Sequence, residues 1–127
     1  MASKEYWFDL AEYDLITAKA MLETERLLYV GFMCHQAIEK ALKGFCVLRG
    51  MEKIPYTHNL LLLAEKSSLI DTLNDDQMDF IDFLQPLNIE ARYPDVKQKL
   101  LDVLTVEKCS EIYSLTEEFL KWIKERQ

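Results

Sequence analysis

The sequence predicts an all-α fold, an antiparallel up-and-down bundle of about five helices with three of them long. Three observations carry this. Only 3 Gly and 3 Pro occur in 127 residues, so turns are few and the elements between them long. Apolar residues recur at three- and four-residue spacing over long stretches, the period of an amphipathic helix. No segment alternates with the two-residue period of a strand. A chain this long makes one domain, residues 1–127. At that size about two-thirds of the unfolded surface is buried, enough for one core without disulfides or a structural metal.

The elements follow in order. Ser3 can cap a first helix over about residues 3–25. Its inner stripe is Trp7, Leu10, Ala11, Leu15, Ala18, Met21 and Leu22. Asp14 interrupts that stripe and needs a partner, because an unpaired buried charge is costly. A second helix is expected over about residues 29–49, with Val30, Cys34, Ala37, Ile38, Ala41, Phe45 and Leu48 inward and Gly50 at the stop. Gly44 beside this stripe lets another helix approach closely. The other face carries His35, Gln36, Glu39, Lys40 and Lys43, with Phe32 among them. It reads as a solvated face with pairs such as Glu39–Lys43 at i,i+4, or as a groove wall.

Residues 54–59 form a loop into a third helix, capped by Thr57 or Asn59. Asn74-Asp75-Asp76 is the cap and acidic first turn of a fourth, ending near Pro86 with Met78, Ile81 and Leu84 inward. Ala91-Arg92-Tyr93-Pro94 reads as a helix-breaking loop, because proline biases the residue before it toward an extended backbone. Thr105 caps the last long helix, with Cys109, Ile112, Tyr113, Thr116, Phe119, Leu120 and Ile123 inward. Leu115 and Trp122 lie off that stripe and, with Phe32, point to a second contact such as a homodimer.

Composition narrows the function. The net charge of −7 weighs against duplex DNA as a partner. No run reaches the roughly 18 apolar residues of a membrane span. The first residues, Met1 to Glu5, lack a basic leader with an apolar run, and none of the three cysteines (Cys34, Cys46, Cys109) is spaced as C-x-x-C. Both features suit a cytoplasmic protein with reduced thiols. No clustered Cys/His spacing and no glycine-rich phosphate loop occurs, so no metal and no cofactor are expected.

Three motifs then line up: Gln36-Ala37-Ile38-Glu39-Lys40-Ala41-Leu42-Lys43, Thr57-His58-Asn59-Leu60, and Ala91-Arg92-Tyr93-Pro94. In that order and at those separations, with Trp7, Ala11, Asp14, Leu15 and Ala18 on the opening helix, the chain resembles the HEPN family over nearly its whole length. The resemblance implies a helical bundle that often dimerises. It also implies pairing with a small nucleotidyltransferase, sometimes as a toxin–antitoxin pair. Many members are ribonucleases with an Arg followed a few residues later by a His. Here Arg92 is followed by Tyr93-Pro94-Asp95-Val96-Lys97-Gln98-Lys99-Leu100, without a His. The chain therefore sits nearer the binding-type members.

Candidate site residues follow. Arg92 can recognise a phosphate, with Tyr93 stacking on a base and Lys40 or Lys43 assisting. Alternatively, Arg92 pairs with Asp14 or Glu39 in a structural ion network. The expected function is a non-enzymatic homodimeric module that binds a nucleotide, an RNA or a partner protein. One alternative is a divergent metal-independent ribonuclease with Arg92 and His58, or a carboxylate, as its chemical groups. The other is a structural adaptor.

Overall fold

The computed structural model describes residues 2–88 and 94–127. Helix α1 spans Lys4–Glu23, and the hydroxyl of Ser3 accepts a hydrogen bond from the Tyr6 N–H at 3.2 Å. Glu25 ends α1 in the left-handed region at φ 55°, while the Arg26 N–H reaches back to the Met21 carbonyl at 2.8 Å. Glycine usually fills that role, and here a glutamate holds it. α2 (Leu27–Leu48) starts at once, so the short connection folds α1 and α2 into an antiparallel pair. Gly50 ends α2 at φ 87°, with the Met51 N–H on the Cys46 carbonyl at 3.2 Å.

α2 is the central helix. It packs against α1 and α6 and also meets α3, α4 and α5. Of the expected stripe, Val30, Cys34, Ala37, Ile38, Ala41 and Phe45 are buried and Leu48 is partly buried, while Leu42 and Cys46 are buried as well. α6 (Val106–Glu125) is capped by Thr105. The Cys109 thiol reaches the Leu27 carbonyl at the start of α2 at 3.6 Å, while Lys124 near the other end pairs with Glu12 of α1 at 2.9 Å. α6 therefore runs antiparallel to α1 and parallel to α2.

Shorter elements make the return. α3 (Leu60–Lys66) is capped by Asn59, and a 3-10 turn follows at Leu69–Thr72. α4 (Asp75–Leu84) opens with a reciprocal cap in which Asn74 and Gln77 bond each other's backbone N–H. A second 3-10 turn covers Gln85–Asn88, and α5 is Pro94–Val103. Among the described residues this makes six α-helices and no strand, with α1, α2 and α6 the three long ones. The sixth arises because Pro94 starts α5 instead of only breaking the chain. Proline suits a first helical position, where its missing N–H would have had no partner. Ala91, Arg92 and Tyr93 lie outside the described residues.

Gly44 sits where α1 packs tightly on α2. A Cβ there would stand 3.1 Å from Trp7 Cβ and 3.3 Å from Phe8 Cζ. Because Trp7 Cβ is fixed to the backbone of α1, the helices themselves must part. Gly44→Ala should therefore destabilise the fold by a net amount of about 1 kcal/mol, because overpacking outweighs the gain in helix propensity. Gly44→Val should cost more, and urea denaturation measures both. An alanine variant more stable than the parent would show that the α1–α2 contact yields easily.

Candidate functional site

Residues four apart lie above one another on a helix, so α2 carries two polar lines: Gln36 and Lys40, then His35, Glu39 and Lys43. The first line faces α1. The Lys40 ammonium donates to Asp14 Oδ2 at 3.2 Å and to Gln36 Oε1 at 3.1 Å. Gln36 Nε2 donates in turn to Asn88 Oδ1 at 2.9 Å. Burial raises the pKa of Asp14 while the Lys40 charge and hydrogen bond oppose that rise. A carboxylate in the apolar stripe of α1 thus has its partner in α2.

The second line centres on Glu39, which is buried. Its Oε2 accepts from the Lys43 ammonium at 3.1 Å, and its Oε1 lies 2.8 Å from His58 Nδ1. His58 comes from the loop before α3 and has 63% of its side chain exposed. The His35 Nδ1 approaches the same Oε1 only to 3.8 Å. His35 is fully buried, and neither ring nitrogen makes a well-formed hydrogen bond among the described residues, although the His58 backbone and the Gln85 side chain stand near the ring. Burial lowers its pKa to about 4, against a weaker pull upward from Glu39, so the ring is neutral at pH 7. The Lys43 ammonium also stands 5.6 Å from the centre of the Trp7 ring, a cation–π contact.

The structure thus brings Asp14, Glu39, Lys40, Lys43 and His58 into one seam between α1, α2 and the 54–59 loop. On the α2 face expected to be solvated, His35, Glu39 and Lys43 are buried, because α1 and that loop cover them, and the expected Glu39–Lys43 pair forms, while Phe32, Gln36 and Lys40 are only partly covered. Arg92 and Tyr93 lie outside the described residues, four and five positions after Asn88. His35 had little to recommend it in sequence, and its one signal is the i,i+4,i+8 line with Glu39 and Lys43. Among the described residues no group of His, Cys, Asp and Glu is arranged to hold a metal ion. Burial pushes Cys34 up to about 12 and Cys46 and Cys109 up to about 11, so these thiols stay protonated and are poor nucleophiles. Trp122 packs on Phe119 with ring centres 6.0 Å apart and under the Arg126 guanidinium, while Leu115 stays 39% exposed.

Comparison with known proteins decides the family. The model for the HEPN domain matches residues 4–126. The chain belongs to the HEPN family. Two solved structures share the fold of this HEPN domain. TT1696 from Thermus thermophilus superposes with a TM-score of 0.81 at 24% identity, over 100% of both chains. ST0689, described as an archaeal HEPN homologue, superposes with a TM-score of 0.74 at 26% identity, over 99% of this chain and 98% of that one. No curated protein compared with the chain matches it significantly. Among the described residues no helix is long and apolar enough to cross a membrane.

The neutral His35 makes the stability of this HEPN domain depend on pH. An unfolded histidine takes a proton near its usual value of 6.5, whereas the folded chain refuses it until about 4. Stability from this source is fully present above pH 6.5 and is lost as pH falls toward 4, by on the order of 3 kcal/mol across the window. The raised pKa of Asp14 acts in the opposite sense as its carboxyl takes up a proton. Urea denaturation at stepped pH should give a flatter profile over that window for His35→Phe. A variant with the parental slope would assign the effect to another group.

Proposed function

We propose that this HEPN domain is a non-enzymatic binding module that takes a nucleotide at the seam between α1 and α2. The carrying observation is the Lys40 ammonium, fixed by Asp14 and Gln36 yet with 20% of its side chain exposed. It is an oriented cation at the edge of the fold, able to donate to a phosphate. Gln36 links it to Asn88, from which the chain runs on to Arg92 and Tyr93. Arg92 supplies a second charge for phosphate and Tyr93 a stacking surface, with Lys43 as a reserve cation held by Glu39. The family resemblance adds a small nucleotidyltransferase as protein partner, in a toxin–antitoxin-like pair, and the cysteine spacing suits a cytoplasmic setting. A homodimer belongs to the same reading, and the outer face of α1, with Tyr6, Tyr13 and Ile16 exposed, suits it.

An NMR titration with ATP tests the nucleotide. Shifts should cluster at Gln36, Lys40, Lys43 and Asn88, and Lys40→Ala and Arg92→Ala should each weaken binding at least about tenfold, as loss of a charge-assisted bond does. A spectrum unmoved by millimolar ATP would remove the nucleotide.

One contact favours a second reading, a divergent metal-independent ribonuclease. Glu39 and His58, 2.8 Å apart, form a buried carboxylate backing an exposed imidazole, the arrangement that orients a general base. In that case the purified protein should cleave RNA in excess chelator, and both His58→Ala and Glu39→Gln should lower the rate by about a hundredfold or more. RNA left intact at high protein concentration would dismiss the enzyme.

A further inference from the structure

α4 and α6 enclose a groove that the nucleotide reading does not use. Two adjoining hollows of about 310 and 240 Å³ share Asp76, Phe80 and Leu115 as common walls. Their apolar floor comes from Phe80 and Phe83 on α4 and from Leu115 and Trp122 on α6. Leu115 and Trp122, with the buried Ile112 and Phe119, are spaced by three and four residues, so a single face of α6 supplies one side. From Lys108 to Trp122 that face is about 21 Å long, four helical turns. Partly exposed aromatic side chains in a concave surface, beside the exposed Leu115, are the composition of a protein-docking site.

The rim selects the partner. Asp76, Asp79 and Glu118 line the groove with negative charge. Lys108 is the basic residue among the lining side chains, and it lies over the Phe83 ring at 5.0 Å and within 3.7 Å of Glu111. A second copy of a chain with net charge −7 would bring more acid against this rim. A cationic segment is drawn to it instead, and opposite charge around an apolar centre sets both orientation and association rate. We propose that the α4–α6 groove docks a basic amphipathic helix of a partner protein, its apolar face on Phe80, Leu115 and Trp122 and its lysines or arginines against Asp76, Asp79 and Glu118. This stands apart from the nucleotide reading, because the two surfaces share no residue.

Two synthetic peptides of about 14 residues test it, with the same helical pattern of leucines and either lysine or glutamate at every polar position. Calorimetric titration into the whole protein should show binding of the Leu/Lys peptide alone, weakening as salt rises. Leu115→Asp, a change at an exposed position, should weaken it at least about tenfold, as loss of a central apolar contact does. Asp79→Lys with Glu118→Lys should transfer the preference to the Leu/Glu peptide. Glu5→Lys with Glu23→Lys, an equal charge change on α1, should leave binding intact. Circular dichroism of each variant confirms that it is folded. The proposal is overturned if both peptides bind alike, if Leu115→Asp binds as the parent does, or if the α1 reversals match the groove reversals. It is equally overturned if neither peptide binds at millimolar concentration, or if light scattering finds a dimer that Leu115→Asp splits, which assigns the groove to a second copy.

Discussion

The burial of α2 on almost every side is the constraint from which the rest of the molecule follows. Thirteen of its 22 residues are buried, including His35, Glu39 and Lys43. A helix in that position has little surface to give to water, so a charge on its covered sides must find an internal partner or incur a desolvation cost of several kcal/mol. Glu39 meets the requirement with Lys43 one turn away and with His58 from outside the helix. Lys40 meets it with Asp14 across the helix pair. The 54–59 loop is therefore tied down by more than its turn residues, since His58 fastens it to the centre of the bundle.

Pairing of this kind shapes what the seam can do. Two carboxylates and two ammoniums cancel, so its attraction for an anion is far weaker than that of two free lysines. A phosphate would have to share Lys40 with Asp14 instead of replacing it. Such a site gains selectivity from geometry more than from charge, because the ammonium is held in one place before any ligand arrives. Lys40, with twice the side-chain exposure of Lys43, suits that role better than Lys43, which is buried against Glu39 and the face of Trp7.

Much of this was legible in the sequence, and the part that was not has a definite physical reason. Ser3, Asn59, Asn74 and Thr105 cap the helices they were expected to cap, because a cap depends on residues within one turn of it. Gly44 was legible as a point of close approach, and Asp14 as a carboxylate in need of a partner. The burial of Glu39 and His35 was hidden, since it depends on which distant segment covers the polar lines of α2. A polar line on a buried helix and one on a surface helix have the same spacing. Pro94 misled for a related reason: proline marks a boundary without saying whether a helix ends before it or begins with it. Arg92 and Tyr93 remain readings of the sequence.

Charge is distributed unevenly in this chain, and the distribution separates two kinds of surface. The seam between α1 and α2 is internally neutral, so the net charge of −7 must reside elsewhere. Part of it lies on α4, whose ten residues include Asp75, Asp76, Asp79 and Asp82. Asp75 and Asp76 in the first turn are stabilised by the helix dipole, but Asp79 and Asp82 lie beyond its reach. They offer no cap and, among the described residues, make no ion pair. Asp79, set with Asp76 and Glu118 along aromatic groups that the core leaves partly exposed, is better explained by what approaches from outside than by what the fold requires.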